Sequence, residues 1–225
     1  MARATPPPPP PAAPPATLRR SRWWHAALAA VVAASLVTEL VLTLAAAEGP
    51  GTGTRLVRFA SYFTVQSNLL VLAAALGLAL RPDRDGRWWR VLRLDALLGI
   101  TITGVVFGTV LAALVDPSGA RWWTNAGLHY AAPAATLLGW LLFGPRPRVD
   151  RRSQVLAFAW PVAWIGWTFA HGALGGWYPY PFLDAGELGL PVALRNTAVV
   201  LLLGALLAVV LGVLDTRLRA VADHR

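Results

Sequence analysis

The sequence predicts an all-α integral membrane protein, built as a bundle of six transmembrane helices with both chain termini in the cytoplasm. Of the 225 residues, 56% are hydrophobic and 14% are charged, whereas an ordinary soluble domain has about 25% charged residues. Several apolar stretches approach or exceed the roughly 18 residues that a membrane-crossing helix needs. The uneven distribution of arginine along the chain gives the orientation.

Residues 1–21 form the first predicted unit, a disordered proline-rich tail. The run Pro6–Pro11 has no apolar periodicity and favours an extended, solvated chain. We expect a spacer here, and the alternative is a binding segment for a partner that recognises proline-rich sequences. The six-helix transmembrane domain is predicted to span residues 22–216, and residues 217–225 to form a short basic C-terminal tail.

The six predicted helices are apolar stretches separated by loops rich in arginine, glycine or proline. A cleaved signal peptide is the alternative for the first stretch, because arginines precede it and three alanines near its end resemble a cleavage site. Its apolar run is longer than the roughly 7–15 residues of a signal core, which favours a retained helix. The predicted helices are, in chain order, Trp23–Ala47, Phe59–Leu80, Leu94–Val115, Trp122–Phe143, Gln154–Gly176 and Leu194–Leu214.

All 20 basic residues are arginine. Sixteen lie in the two tails and in the loops after the second and fourth predicted helices, and four lie on the opposite side. The positive-inside rule therefore predicts cytoplasmic termini. We expect the net charge of +9 to favour anionic membrane lipid as a partner rather than nucleic acid. Abundant alanine and the absence of lysine indicate a GC-rich bacterial genome, and hence the bacterial cytoplasmic membrane as the location.

Polar residues cluster at the start of the second predicted helix, in the stretch Arg58–Val71. Ser61, Thr64 and Asn68 have the spacing i, i+3 and i+7, so a continuous helix would present them on one face. Gln66 lies between them. Polar side chains within a membrane are costly unless they face a packed interior or a wet cavity, and they often mark a functional site.

Other polar residues are predicted to lie at the same depth, in the outer half of the membrane. A helix rises about 1.5 Å per residue, and the predicted orientation then fixes the depth of each position. The predicted polar layer comprises Thr64, His129, His171 and Glu39, roughly 8 to 12 Å below the outer surface, with Asn125 and Arg195 above them.

Each member of this layer also has a structural interpretation. Glu39 can pair with Arg195, and His129 can be a hydrogen-bonded packing residue. Thr64 can bond to the backbone carbonyl four residues earlier. His171 continues a stripe of tryptophans that is typical of aromatic packing, and the alternative is a wall of a groove for a lipid chain. The stripe consists of Trp160, Trp164 and Trp167.

The chemistry that fits a hydroxyl and an imidazole at one depth is nucleophilic catalysis, with Thr64 as the nucleophile and His129 as the general base. A serine nucleophile such as Ser61 is possible, although no G-x-S-x-G motif occurs. The side chains expected to stabilise an oxyanion or to orient the base are Asn68, Gln66 and Asn125. The chain has no cysteine, and the layer offers fewer convincing ligands than a zinc hydrolase needs, so we expect no metal and no cofactor.

Three motifs carry a resemblance to a known family. The stretches SYFTVQSNLLV and TNAGLHYAAPAATLLGWLLFGP, followed by GGWYPYPFLD, are similar to bacterial relatives of the androgen-induced membrane hydrolase family. The resemblance covers roughly residues 23–215. It implies a multi-span, metal-independent threonine hydrolase of fatty acid esters of hydroxy fatty acids, in which the intramembrane Thr and His match Thr64 and His129. It assigns no role to the aromatic WYPYPF segment.

Two hypotheses follow from the sequence. The first is a lipid-ester hydrolase with a fatty acyl ester as the substrate. The second is a non-enzymatic membrane protein, a small transporter or a lipid-binding scaffold, for which Glu39, His171 and Arg195 would matter more than Thr64.

Overall fold

The computed structural model describes residues 16–218. The predicted tails therefore lie outside the described residues, except for their inner ends. Helix α1 begins at Ala16, so residues 16–21, which the sequence assigned to the tail, belong to the first helix. The last proline of the tail is Pro15, and the leucine and arginines that follow it are good helix formers.

Ten α-helices follow one another along residues 16–218, and short π-helical or 3-10 stretches extend some of them. The α-helices are α1 (Ala16–Leu44), α2 (Thr52–Ser61), α3 (Phe63–Leu80), α4 (Arg87–Val106), α5 (Ala120–Ala126), α6 (Ala132–Phe143), α7 (Arg151–Leu156), α8 (Ala159–Gly175), α9 (Ala185–Leu188) and α10 (Leu190–Arg217). The π-helical stretches are Phe107–Leu111 after α4 and Gly127–Ala131 between α5 and α6.

Five helical stretches within the described residues are long and apolar enough to cross a membrane, which is consistent with an integral membrane protein. They are Ala16–Leu44, Phe63–Leu80, Arg87–Leu114, Ala120–Phe143 and Leu190–Arg217. The predicted fifth helix is divided instead, because a turn at residues 157–158 separates α7 from α8. Helix α8 has 17 residues, so it is about 26 Å long and somewhat shorter than a typical hydrocarbon core.

Helix α4 lies at the centre of the bundle. Every residue from Leu94 to Thr103 is buried, as expected of a helix that neighbours surround on all sides. One core cluster packs α4 against α1, α3 and α6, and a second packs it against α8, α10 and the segment before α9. Gly104 allows α4 to approach α6 closely, since a Cβ there would lie 3.0 Å from Pro133 Cβ.

Candidate active site

The segment that carries Thr64 consists of two helices. The sequence predicted a continuous helix over Phe59–Leu80, but α2 and α3 meet at Tyr62, whose backbone is extended (φ −68°, ψ 126°). The prediction that Ser61, Thr64 and Asn68 share one helix face is therefore wrong, because Ser61 belongs to the preceding helix.

Side chains replace the backbone hydrogen bonds that are lost at this break. In a continuous helix, the carbonyls of Ala60 and Ser61 would accept bonds from N–H groups four residues later. Instead, Gln66 Nε2 donates to the Ala60 carbonyl at 2.8 Å, and the indole N–H of Trp164 donates to the Ser61 carbonyl at 2.8 Å. These contacts give a donor to two carbonyls that have lost their helical partners, the buried one of Ser61 among them, and so stabilise the break. They leave Thr64 as the second residue of α3.

The first turn of α3 directs backbone N–H groups away from the helix. The N–H of Thr64 donates to the phenolic oxygen of Tyr180 at 3.1 Å. Tyr180 lies in the aromatic segment between α8 and α9, 116 residues away along the chain. The start of α3 and this distant segment are thereby joined at the residue predicted to be the nucleophile.

His129 lies in the π-helical stretch Gly127–Ala131. Pro133 follows four residues later, and proline can neither donate to the carbonyl of the residue four positions earlier nor avoid crowding it. The carbonyl so affected is that of His129, which gives a local reason for the wider turn. Short π-helical stretches inside α-helices are frequent at functional sites.

A chain of hydrogen bonds joins Thr64 to the backbone through His129. The Thr64 Oγ1 atom lies 3.4 Å from His129 Nε2, and His129 Nδ1 lies 3.2 Å from the backbone carbonyl oxygen of Asn125. A carbonyl can only accept, so Nδ1 carries the proton in the neutral ring and Nε2 has the lone pair that faces the hydroxyl. This tautomer is the one that a general base for Thr64 requires.

The imidazole ring is held on its face by Phe107. The two ring centroids are 3.9 Å apart with an interplanar angle of 22°. Phe107 is buried and begins the π-helical stretch that follows α4. The two π-helical stretches are therefore in contact through these two rings, and this contact restricts the orientation of His129.

The hydroxyl of Tyr180 is the third polar group at this position. It lies 3.3 Å from Thr64 Oγ1, and the residue is 8% exposed. A phenol has an ordinary pKa of about 10, so the Tyr180 hydroxyl has its proton at neutral pH. Since its oxygen accepts from the Thr64 N–H, its own proton is available to the threonine oxygen or to an oxyanion that forms beside it.

Thr64 and His129 face an open cavity of about 770 Å³, which we call the vestibule. Its volume lies within the usual range of ligand sites. Polar and charged residues line much of it, and Arg58 lies over the ring of Trp177, 5.0 Å from the ring centroid. The Nε atom of Arg58 is buried without a hydrogen-bond partner among residues 16–218.

A second cavity, the apolar pocket, lies between α3, α4, α8 and α10, and the centre of a water molecule can occupy about 60 Å³ within it. Its lining is almost entirely aliphatic and aromatic, with Trp164 on one wall. Four residues line both the apolar pocket and the vestibule: Thr64, Phe107, Leu111 and Tyr180. The Thr64 hydroxyl thus lies where a cavity with several charged residues in its lining meets an apolar one.

The other members of the predicted polar layer divide into two groups. Glu39 and Asn125 line the vestibule. Glu39 pairs with Arg121 at 2.5 Å and accepts a hydrogen bond from Thr124, so its partner is not Arg195. His171 and Arg195 do not line either cavity. His171 lies 3.3 Å from the Trp177 carbonyl, whereas Arg195 is exposed and contacts Asn196. Residues predicted to lie at one depth therefore do not all lie at one site.

The residues expected to stabilise an oxyanion have other contacts. Asn68 is fully buried and donates to the carbonyls of Thr64 and Leu128, which ties α3 to the helix that carries His129. Gln66 bonds to Ala60, as described above. Ser61 Oγ donates to the Val57 carbonyl, 2.7 Å away, and is not part of the site. Asn125 acts on His129 through its backbone carbonyl.

The tryptophan stripe of α8 packs against the break between α2 and α3. Trp160 stacks on Phe63 with a centroid distance of 4.7 Å and donates to Gln66 Oε1. Trp167 donates to Ser61 Oγ at 2.9 Å. Of the three tryptophans, Trp164 is the one that lines the apolar pocket. The stripe therefore supports the backbone at the site, and it contributes one residue to the wall of a cavity.

Sequence reasoning missed Tyr180, because nothing in the WYPYPF segment indicates a partner 116 residues away. The available signal was a tyrosine between two prolines at the predicted outer end of a helix. Within residues 16–218, no three His, Asp or Glu side chains lie together as a metal ion would require.

Comparison with known proteins returned no similar protein: no family model, no curated protein sequence and no solved structure matches this chain.

Proposed function

We propose that this protein is an intramembrane hydrolase of lipid esters, with Thr64 as the nucleophile and His129 as the general base. One observation carries the proposal: Thr64 Oγ1 lies 3.4 Å from the ring nitrogen of His129 that has the lone pair. Catalytic hydrogen bonds are often this long before the substrate binds. The three sequence motifs support the same assignment, to the androgen-induced membrane hydrolase family.

In the proposed reaction, His129 Nε2 takes the proton of the Thr64 hydroxyl as Oγ1 attacks the ester carbonyl carbon. The carbonyl oxygen becomes an oxyanion, and the Tyr180 hydroxyl donates a hydrogen bond to it. The protonated imidazole then gives its proton to the leaving alcohol, and the acyl group remains on Thr64. Water attacks this acyl-threonine with His129 again as the base, which releases the carboxylic acid and restores the hydroxyl.

The two cavities support a lipid ester as the substrate class. An ester bond at Thr64 has space for a polar part in the vestibule and for an apolar part in the apolar pocket. A wholly polar ester would leave the apolar pocket unfilled, and a wholly apolar one would leave the charged lining of the vestibule without a ligand.

We further propose that the chain crosses the membrane six times, with both termini in the cytoplasm. Helix α8, with the short helix α7 before it, is the fifth of the six crossings in chain order. The distribution of arginine supports this orientation, with sixteen side chains on the proposed cytoplasmic side and four on the other. The vestibule then opens towards the outside.

The direct test is labelling of the purified protein with a fluorophosphonate probe, which reacts with an activated hydroxyl. Wild-type protein should be labelled and Thr64→Val should not, while both elute as folded protein in size-exclusion chromatography. Equal labelling of the two proteins would refute Thr64 as the nucleophile.

A further inference from the structure

The apolar pocket ends near Gly204 of α10. A Cβ at this position would lie 3.4 Å from Ile102 Cδ1 and 3.8 Å from Phe158 Cε1, so the glycine leaves open space that a larger side chain would fill. All three residues line the apolar pocket, and none lines the vestibule. Gly204 therefore belongs to the part of the pocket that is remote from the shared mouth.

The direction of α10 gives the depth of the pocket. Asn196, near the start of α10, donates to the carbonyl of Phe182, two residues after Tyr180. The start of α10 is thus close to the mouth. Thr197 and Gly204 both line the pocket, and seven residues of helix correspond to about 10 Å. An extended chain advances roughly 1.2 Å per bond, so this depth fits about eight carbons.

Beyond the mouth of the apolar pocket, the hydroxyl groups in its lining already donate to other residues. The Thr197 hydroxyl donates to the Ala193 carbonyl at 2.8 Å, and the Thr103 hydroxyl donates to Ser67 Oγ at 3.2 Å. The remaining lining residues away from the mouth are apolar. A hydrocarbon chain gains from burial here, whereas a polar chain would lose hydrogen bonds to water.

We infer that the apolar pocket holds the acyl chain of the ester, and that Gly204 limits this chain to about eight carbons. The inference rests on the proposed function, because the acyl carbonyl has to lie at Thr64. It makes Gly204 a specificity-determining residue that contacts the end of the chain and takes no part in the chemistry. The alcohol half of the ester then occupies the vestibule.

The test compares hydrolysis of p-nitrophenyl acetate, butyrate, octanoate and palmitate by purified protein in phosphatidylcholine nanodiscs. Wild-type kcat/KM should rise to octanoate and fall at palmitate. Gly204→Val should lower the octanoate-to-acetate ratio by roughly tenfold or more. Leu98→Ala, which enlarges the pocket at another lining residue, should move the optimum to longer chains. It tests the inference independently if Gly204→Val does not fold.

The matched control is Gly166→Val on α8. A Cβ at Gly166 would contact nothing within 4 Å, and this residue lines neither cavity, so the chain-length profile should not change. A uniform loss of activity in Gly204→Val at all chain lengths, or an unchanged profile in both pocket variants, would overturn the inference and leave the proposed function intact.

A second measurement separates this inference from the proposed function. Thr64→Val protein is irradiated with an octanoic acid that carries a terminal diazirine, and the labelled peptides are identified by mass spectrometry. Labels should fall within residues 98–106 and 197–204, and Gly204→Val should lose them. Labels on lipid-facing positions alone would overturn the inference that the apolar pocket holds the acyl chain. If wild-type protein hydrolyses no ester, the proposed function fails, and the labelling pattern still decides the pocket.

Discussion

Thr64 has the hydroxyl on which the proposed chemistry depends, and two conservative substitutions test it. Thr64→Val keeps the shape of the side chain and removes the oxygen, so ester hydrolysis should fall to the rate of protein-free nanodiscs. Thr64→Ser keeps the oxygen and should retain part of the rate. The measurement is kcat/KM for p-nitrophenyl octanoate, and full activity in Thr64→Val would contradict the mechanism.

His129 and Thr64 act as one unit in this mechanism, and their effects should therefore not add. His129→Ala should lose hydrolysis as completely as Thr64→Val, because no other base lies within 3.5 Å of Oγ1 among residues 16–218. The double variant should be little worse than either single one. If the fold-loss of kcat/KM in the double variant equals the product of the fold-losses in the two single variants, the residues contribute separately.

Tyr180 should act on the transition state more than on substrate binding. Tyr180→Phe removes the proton that the oxyanion would accept, so kcat should fall by roughly 10² with little change in KM. Tyr178→Phe is the matched control, since it removes a phenolic hydroxyl from the same segment but not from either cavity. An unchanged kcat in Tyr180→Phe would exclude this role.

The position of Thr64 relative to His129 depends on contacts between whole elements. Asn68 joins α3 to the helix of His129, because its amide donates to the carbonyl of Leu128 at 3.2 Å. Asn68→Ala should lower the free energy of unfolding by about 0.6 to 1.7 kcal/mol and should also reduce kcat. Thr136→Ala is the control, as its hydroxyl bonds only within its own helix. Thermal denaturation and the ester assay give the two values.

The α2–α3 break is the element that sequence patterns could not predict. No proline or glycine occurs between Arg55 and Gly77, so local propensity predicts a continuous helix. The bonds from Gln66 and Trp164 to the carbonyls at the break compensate for the lost backbone bonds. Trp164 is distant in sequence, and its contribution appears only when α8 packs on this segment. In contrast, Pro133 is a local signal for the wider turn at His129.

At the scale of the whole molecule, the proposed topology can be tested by cysteine labelling, since the chain has no native cysteine. Thr52, Ser118 and Glu187 are exposed and are proposed to face outwards, so cysteines there should react with an impermeant thiol reagent in intact cells. A cysteine at Asp83 should react only after lysis. The nearby Gly86 and Gly119 are unsuitable, because their positive φ values favour glycine. The opposite pattern would invert the topology.

The sequence by itself determined the class of the protein, and it predicted the two residues on which the proposed function depends. Apolar stretches of membrane-spanning length identify five of the observed helices to within a few residues at most ends, because burial in hydrocarbon imposes composition and length on every span. Thr64 and His129 were singled out since polar groups are rare and costly in such stretches. These are properties of single segments, which a sequence records directly.

Only the tertiary structure decided which polar residues meet. The depth predicted from the sequence describes position along the membrane normal only. It grouped His171 and Arg195 with Thr64, although neither lines the vestibule. Tyr180 reaches Thr64 because α8 and the segment after it fold back over the α2–α3 break. The position of the Tyr180 hydroxyl beside Thr64, and the junction of the two cavities there, result from contacts between segments more than 100 residues apart. Such contacts depend on the packing of the entire bundle.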